Sequence, residues 1–332
     1  IVVDGQAVGR VEGLRYTIQP SGVDIERRVL ATAAKRAAGP ELRRRAKALL
    51  AAADDAFWLD DHGRILWQEG GAAAPVGQLR PGASALAPRL ELLVADSLHG
   101  QTRGAISQRL GQWLDVHLAE VTMSLRRLQA AELEAPGRGL AFLLVEGLGN
   151  VRARTAEPLL SVLSKSDRAR LSKLGVRFGV RHVYLGAMLQ PRAIALRARL
   201  WAIQRRVPAL AAPAAPCVAV AADPARSKEM AEAAGFEALA GSWLRIDLVE
   251  RLAARLRERA RSAPFPLDLE LLRLTGLAEA DLVPVVEALG YGRDAEGRFH
   301  RRKAGRRRPA RQPQPTRSAT AFAALGKIRV GQ

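Results

Sequence analysis

Apolar positions along this chain switch between a period of two and a period near four, and the switches mark the expected elements. Val2-Val3 and Gln6 flank Asp4-Gly5, a strong signal for a tight turn, so residues 2–6 are expected to form a hairpin, with Val8 to Ile18 continuing as strand. From Asp24 the spacing becomes helical through Ile25, Val29, Leu42, Ala46, Leu49 and Leu50, with a break expected at Gly39-Pro40. Phe57-Trp58-Leu59 and Ile65-Leu66-Trp67 bracket the polar run 60–64 as a second hairpin, and Val76 to Leu79 and Leu90 to Val94 add strand candidates. Val8-Gly9-Arg10-Val11 echoes Val76-Gly77-Gln78-Leu79, and Leu42, Ala46, Leu49, Leu50 echo Ile106, Leu110, Trp113, Leu114. Either residues 1–134 hold a weak duplication or two β-then-α units share a period.

A long helix is expected from Thr102 to Leu133, a short apolar and buried one from Gly137 to Gly149, and another from Arg152 to Leu163. Asp167 to Leu174 has helical composition, with Ser166 as its N-cap and Gly175 as its stop. Val176 to Leu185 alternates as one strand. A helix then accepts Pro191 in its first turn and places Ile194, Ala198 and Trp201 on one face. Residues 135–207 are thus expected to be a helical domain around strand 176–185, a central helix-strand-helix unit.

The Ala/Pro run 208–216 is a linker signal. Beyond it, Cys217 to Ala221 and Trp243 to Ile246 suit strands, and Arg226 to Ala234 suits a helix stopped by Gly235. Leu248, Leu252 and Leu256 stripe a helix that ends near Ala263-Pro264. Helices over Leu267 to Leu274 and Ala278 to Leu289 follow, then a hairpin from Tyr291 to His300. Three helices and a hairpin make a winged-helix-like plan within 217–303. The whole is expected to be α+β and predominantly helical, with small β/α units and a disordered basic tail over 304–332.

Charge sharpens this picture. The formal net charge is +19, yet eleven Lys and Arg and no acid lie from Arg298 onward, leaving +8 for the first 297 residues. Arg298 to Arg311 packs eight cations into fourteen residues. The candidate phosphate contacts are therefore Arg298, Arg301, Arg302, Lys303, Arg306, Arg307, Arg308 and Arg311, with Arg177 and Arg181 on the central strand. Six such contacts with a single strand predict a loss of about two to three decades in affinity between roughly 50 and 200 mM salt. The third helix of the winged-helix-like unit carries Glu279, Asp281 and Glu287 and no cation, which suits a protein partner better than a phosphate backbone.

Catalytic patterns are missing. The nearest approach to a phosphate-cradling loop, Gly326-Lys327-Ile328, lacks the upstream glycine and the hydroxyl that would hold magnesium. Asp60-Asp61-His62 is a hairpin tip rather than a helicase acidic motif. The five histidines have no i, i+4 pairing, Cys217 stands alone, and Ser164-Lys165-Ser166-Asp167 reads as helix capping. No catalytic residue, metal ligand or cofactor site is expected in these residues. A lone cysteine, no membrane-length apolar run and no secretory leader suit a cytoplasmic chain.

The run LSKLGVRFGVRHVYLGAMLQPRAIALRARLWAI (171–203) resembles the region after the motor core in alphaproteobacterial superfamily-two helicases, which are similar to the mitochondrial degradosome RNA helicase. Val2 to Ile18, Gly137 to Gly149 and Phe322 to Leu325 look like the same family in the same order. The resemblance implies the C-terminal part of an ATP-dependent RNA helicase whose motor, with its ATP and magnesium, lies upstream of Ile1. It implies single-stranded or structured RNA as partner. The other reading is an interaction scaffold, or a ribosome-associated one, that docks a protein through 247–300 and Phe322–Leu325.

Overall fold

The computed structural model describes residues 1–3, 6–18, 24–208, 219–221 and 227–302. It is α+β and predominantly helical. The chain opens with two hairpins, β1 (Val2–Val3) with β2 (Gln6–Ala7) and β3 (Gly9–Glu12) with β4 (Arg15–Ile18). The expected single strand from Val8 to Ile18 is therefore two. Gly13, at φ 55°, turns the chain, and Leu14 is fully buried where it pairs with Val94.

Helix α1 (Asp24–Ala51) runs unbroken through Pro40, against the expected break. Ala34, Ala38, Leu42, Ala46 and Leu49 recur at close to every fourth residue and are all buried. Burial of that continuous stripe outweighs the roughly 3 kcal/mol cost of an internal proline. An antiparallel meander follows in the order β5 (Phe57–Leu59), β6 (Arg64–Glu69), β7 (Ala72–Ser84), β8 (Ala87–Leu92). Its inner face packs Phe57, Ile65, Trp67, Val76 and Leu79 onto Ile106, Leu110 and Trp113 of α2 (Gly100–Gln129).

The other end of α2 enters a second core, where Leu125 and Leu128 meet α3 (Ala135–Glu146). Around this core stand β9 (Asn150–Arg152), α4 (Ala153–Leu160), α5 (Lys165–Lys173), β10 (Val176–Phe178) and β11 (His182–Leu185). Two corrections fall here. The cap of α5 is Ser164, whose hydroxyl accepts the Asp167 N–H at 3.2 Å, and Ser166 lies inside the helix. The expected strand 176–185 is a hairpin, with β11 between β10 and β9. Gly179, Val180 and Arg181 turn the chain, so apolar positions on either side of Gly179 face each other across strands rather than along one.

Helix α6 (Pro191–Arg205) touches three cores. Ala193 packs in the second, Leu196 and Leu200 in the first, and Ile194 and Ala198 with Trp201 against a small third one. That third core belongs to β12 (Ala219–Ala221), α7 (Lys228–Ala233), β13 (Phe236–Leu239) and β14 (Ser242–Arg245), with Met230, Phe236 and Trp243 buried.

The last unit comprises α8 (Ile246–Arg259), α9 (Leu269–Thr275), α10 (Glu279–Ala288), β15 (Tyr291–Arg293) and β16 (Phe299–Arg301). Phe265 exchanges both backbone hydrogen bonds with Phe299, at 3.0 and 2.7 Å. The order is helix, a single bridging residue, two helices and a two-stranded wing, with Phe265 paired to the outer edge of the wing. This is the winged-helix-like arrangement read from the sequence. Leu248, Leu252 and Leu256 of α8 pack on Leu271, Leu282, Val285 and Phe299. Among the described residues no helix is long and apolar enough to cross a membrane.

Candidate nucleic-acid interface

The site lies where the β10–β11 hairpin meets α8. Gly175, at φ 92°, ends α5 and starts the hairpin, in which Arg177 pairs with Tyr184 and Phe178 with Val183. Gly179 closes it by donating its N–H to the His182 carbonyl at 2.9 Å. The turn is clasped by one carboxylate of α8. Glu250 accepts the N–H groups of Val180 (2.6 Å), Arg181 (2.9 Å) and His182 (2.7 Å). A Cβ on Gly179 would fall on that carboxylate, so only glycine lets α8 approach this closely. Burial pushes the Glu250 pKa up, but the His182 ring and the three backbone donors outweigh it, and the net direction is down.

Behind the clasp is a buried charge network. Glu237 of β13 binds the Arg181 guanidinium, through Nε at 3.0 Å and through Nη2, and lies 3.7 Å from Arg152. The His182 ring is fully buried with Nδ1 3.4 Å from Glu250 and 3.8 Å from Glu237. Arg152 also holds Glu232 of α7, so carboxylates of α7, β13 and α8 grip β9 and β11. Deeper still, Arg197 of α6 is buried, with no carboxylate partner among the described residues. It donates to the carbonyls of Met188 (3.1 Å), Gly147 (3.5 Å) and Glu232 (3.3 Å) and to the Asn150 side chain. Burial pushes its pKa down to about 9, which leaves it charged at neutral pH.

On the solvent side, the same hairpin and α8 enclose a groove of about 460 Å³. Phe178 and Tyr184 form its aromatic part, and Arg177, Arg251 and Arg257 supply its cations. Arg168 covers one face of Phe178 at 4.2 Å, while Tyr184 stands beside Arg177 across the strands. Burial, and then the Asp247 and Glu250 carboxylates, push the Tyr184 phenol above its ordinary pKa, against the opposing pull of Arg177 and Arg251. The Arg251 side chain is 58% exposed and lies 3.9 Å from Asp247. Arg257 lines the same groove and donates its Nε–H to the Ala253 carbonyl at 3.2 Å. Arg177, Arg251 and Arg257 therefore share one groove between the hairpin and α8.

The sequence-derived candidates divide accordingly. Arg177 faces the groove, whereas Arg181 is held by buried Glu237. Arg298 is 3.4 Å from both Asp294 and Glu296 within its own turn, and Arg301 and Arg302 are exposed. Lys303, Arg306, Arg307, Arg308 and Arg311 lie outside the described residues, as do Cys217 and the Phe322–Leu325 segment. Glu279 and Asp281 are exposed on α10, which keeps the unit's third helix an acidic face. Arg251 and Arg257 were not among the candidates. Their only sequence signal is their place on α8 outside the Leu248–Leu252–Leu256 stripe, a place they share with Arg255 and Arg259, which Glu258, Asp268 and Glu270 occupy. Among the described residues no group of three or more His, Cys, Asp or Glu could hold a metal ion. Comparison of the chain with family models, with curated proteins and with solved structures finds no match.

Proposed function

We propose that this chain is the accessory C-terminal region of an ATP-dependent RNA helicase, without catalysis of its own, and that it captures single-stranded or structured RNA. ATP, magnesium and the chemistry of hydrolysis belong, in this reading, to a motor elsewhere in the parent protein, and the location is cytoplasmic. The observation that carries the binding half of the reading is the groove in which Arg177, Arg251 and Arg257 stand with Phe178 and Tyr184, because cations next to aromatic faces suit a single strand. The exposed Arg301 and Arg302 are followed directly in sequence by the basic tail at Lys303. The helicase half rests on the resemblance of residues 2–18, 137–149, 171–203 and 322–325.

The test is fluorescence anisotropy of a labelled oligouridine across a salt series, with residues 1–332 and with a chain stopped after Lys303. The expected result is weaker binding with a shallower salt slope after truncation, the remainder being lost on Arg251→Glu with Arg257→Glu. RNA binding unaffected by either change would overturn the interface. A parent coding sequence lacking a nucleotide-binding motor would overturn the helicase reading. The acidic face of α10 favours a second use of the same unit, docking of a basic protein partner, which would proceed without RNA.

A further inference from the structure

A second cationic cleft lies far along the chain from the first, between the tip of the β5–β6 hairpin, the β7–β8 pair and the C-terminal end of α6. It has a volume of about 580 Å³, within the range of ligand-sized clefts. Its charged lining is Arg80, Arg89 and Arg206, joined by His62, and among the described residues no carboxylate lines it. Arg80 is tied outward to Glu91 at 2.5 Å. Among the described residues, Arg89 and Arg206 make no side-chain hydrogen bond or ion pair, and the Arg89 charge bears on Glu91 of β8.

Arg206 is also conformationally unusual. It caps α6 at φ 57°, ψ 35°, the left-handed region in which glycine ends helices without cost and any Cβ is disfavoured. At this position the Arg206 side chain joins two other guanidiniums, Arg80 and Arg89, around one cleft. Leu79 and Ile203 supply its apolar walls, while the three arginines are exposed at its mouth and open to a strand from solvent. Guanidiniums without carboxylate partners match the planar oxygens of phosphodiesters.

We propose that this cleft binds the phosphate backbone of an RNA strand, giving the N-terminal unit a contact separate from the α8 groove. The inference rests on the reading of the chain as RNA-binding and names a further place where the strand is held. Base identity would not matter here, because phosphate contacts position a strand without reading it.

The full chain is titrated with labelled oligouridine over a salt series. Arg89→Glu with Arg206→Glu should weaken binding on the order of tenfold and reduce the salt slope by about 1.4, two single-strand phosphate contacts. Arg89→Lys with Arg206→Lys should keep most of the slope. Arg206→Gly separates binding from folding, since it should weaken binding several-fold while the melting temperature stays level or rises. Unchanged affinity and slope in the double glutamate variant would overturn this inference and leave the proposed function standing. Inorganic phosphate or ATP displacing the oligomer from the wild type at fixed ionic strength, but not from the variant, would mean a small-anion site and overturn the RNA assignment. A chain that binds no oligouridine in any form would overturn both.

Discussion

Glu250 of α8 accepts the Val180 N–H of the β10–β11 turn at 2.6 Å, and this bond, with its two neighbours at Arg181 and His182, joins the two walls of the arginine groove. A carboxylate satisfying three backbone donors does for a turn what a capping side chain does for a helix end. It also makes the geometry of the arginine groove depend on a largely buried carboxylate.

Glu250→Gln should lower stability by about 2 to 3 kcal/mol, since an amide cannot accept from three donors as a carboxylate does. Gly179→Ala should act in the same direction, because its methyl would displace the same carboxylate. Urea unfolding of both variants checks this.

The pH dependence follows from the sign of the shift. The Glu250 carboxyl is depressed in the folded chain, so its contribution is fully present above the ordinary glutamate value and is lost as pH falls through the folded one. Glu41, lowered to about 2 by Arg44 and Arg45, is so exposed that it should add little. Unfolding midpoints should therefore fall below about pH 4.5 in the wild type and fall less steeply in Glu250→Gln.

Arg197→Met should destabilise the chain by about 3 kcal/mol despite matching volume, because three carbonyls and Asn150 would lose their buried donor. Arg197→Lys should recover only part of this, as an ammonium cannot span the same fork of acceptors. Thermal unfolding of the two variants distinguishes them.

In the groove, Tyr184→Ala should cost about 1 to 3 kcal/mol of single-stranded RNA affinity if a base stacks there, and Tyr184→Phe almost none. Arg251→Gln should leave stability unchanged and reduce the salt slope by about 0.7. Anisotropy titrations give both quantities, and equal losses for Ala and Phe would remove the stacking role.

Pro40→Ala should stabilise α1 by about 1 to 3 kcal/mol, since the helix already runs through this position and only its missing hydrogen bond would be restored. A loss of stability would show that the proline shapes a bend the core requires.

Most elements were legible from the sequence because their signals are local. The Leu248–Leu252–Leu256 stripe, Pro191 at the start of α6, the hairpin around residues 60–64 and the order of the winged-helix-like unit each depend on spacing within a few residues. Continuity was less legible. Pro40 and Gly179 carry opposite outcomes, a breaker overridden and a strand folded in two, and in each case a partner distant in sequence decides: the core under α1, and the Glu250 carboxylate.

The sequence by itself determined that the chain is α+β, that it is strongly cationic, and that most of the excess charge follows Arg298. Only the tertiary structure decided which arginines are spoken for. Arg181, Arg255 and Arg259 are matched by acids, Arg197 is buried on carbonyls, Arg177, Arg251 and Arg257 line one groove, and Arg206 lines another. It also placed α6 against three cores at once, which no single hydrophobic face could announce. The physical reason is the same in both cases. Charge and periodicity are properties of residues and their near neighbours, whereas pairing and burial are set by contacts between segments many residues apart.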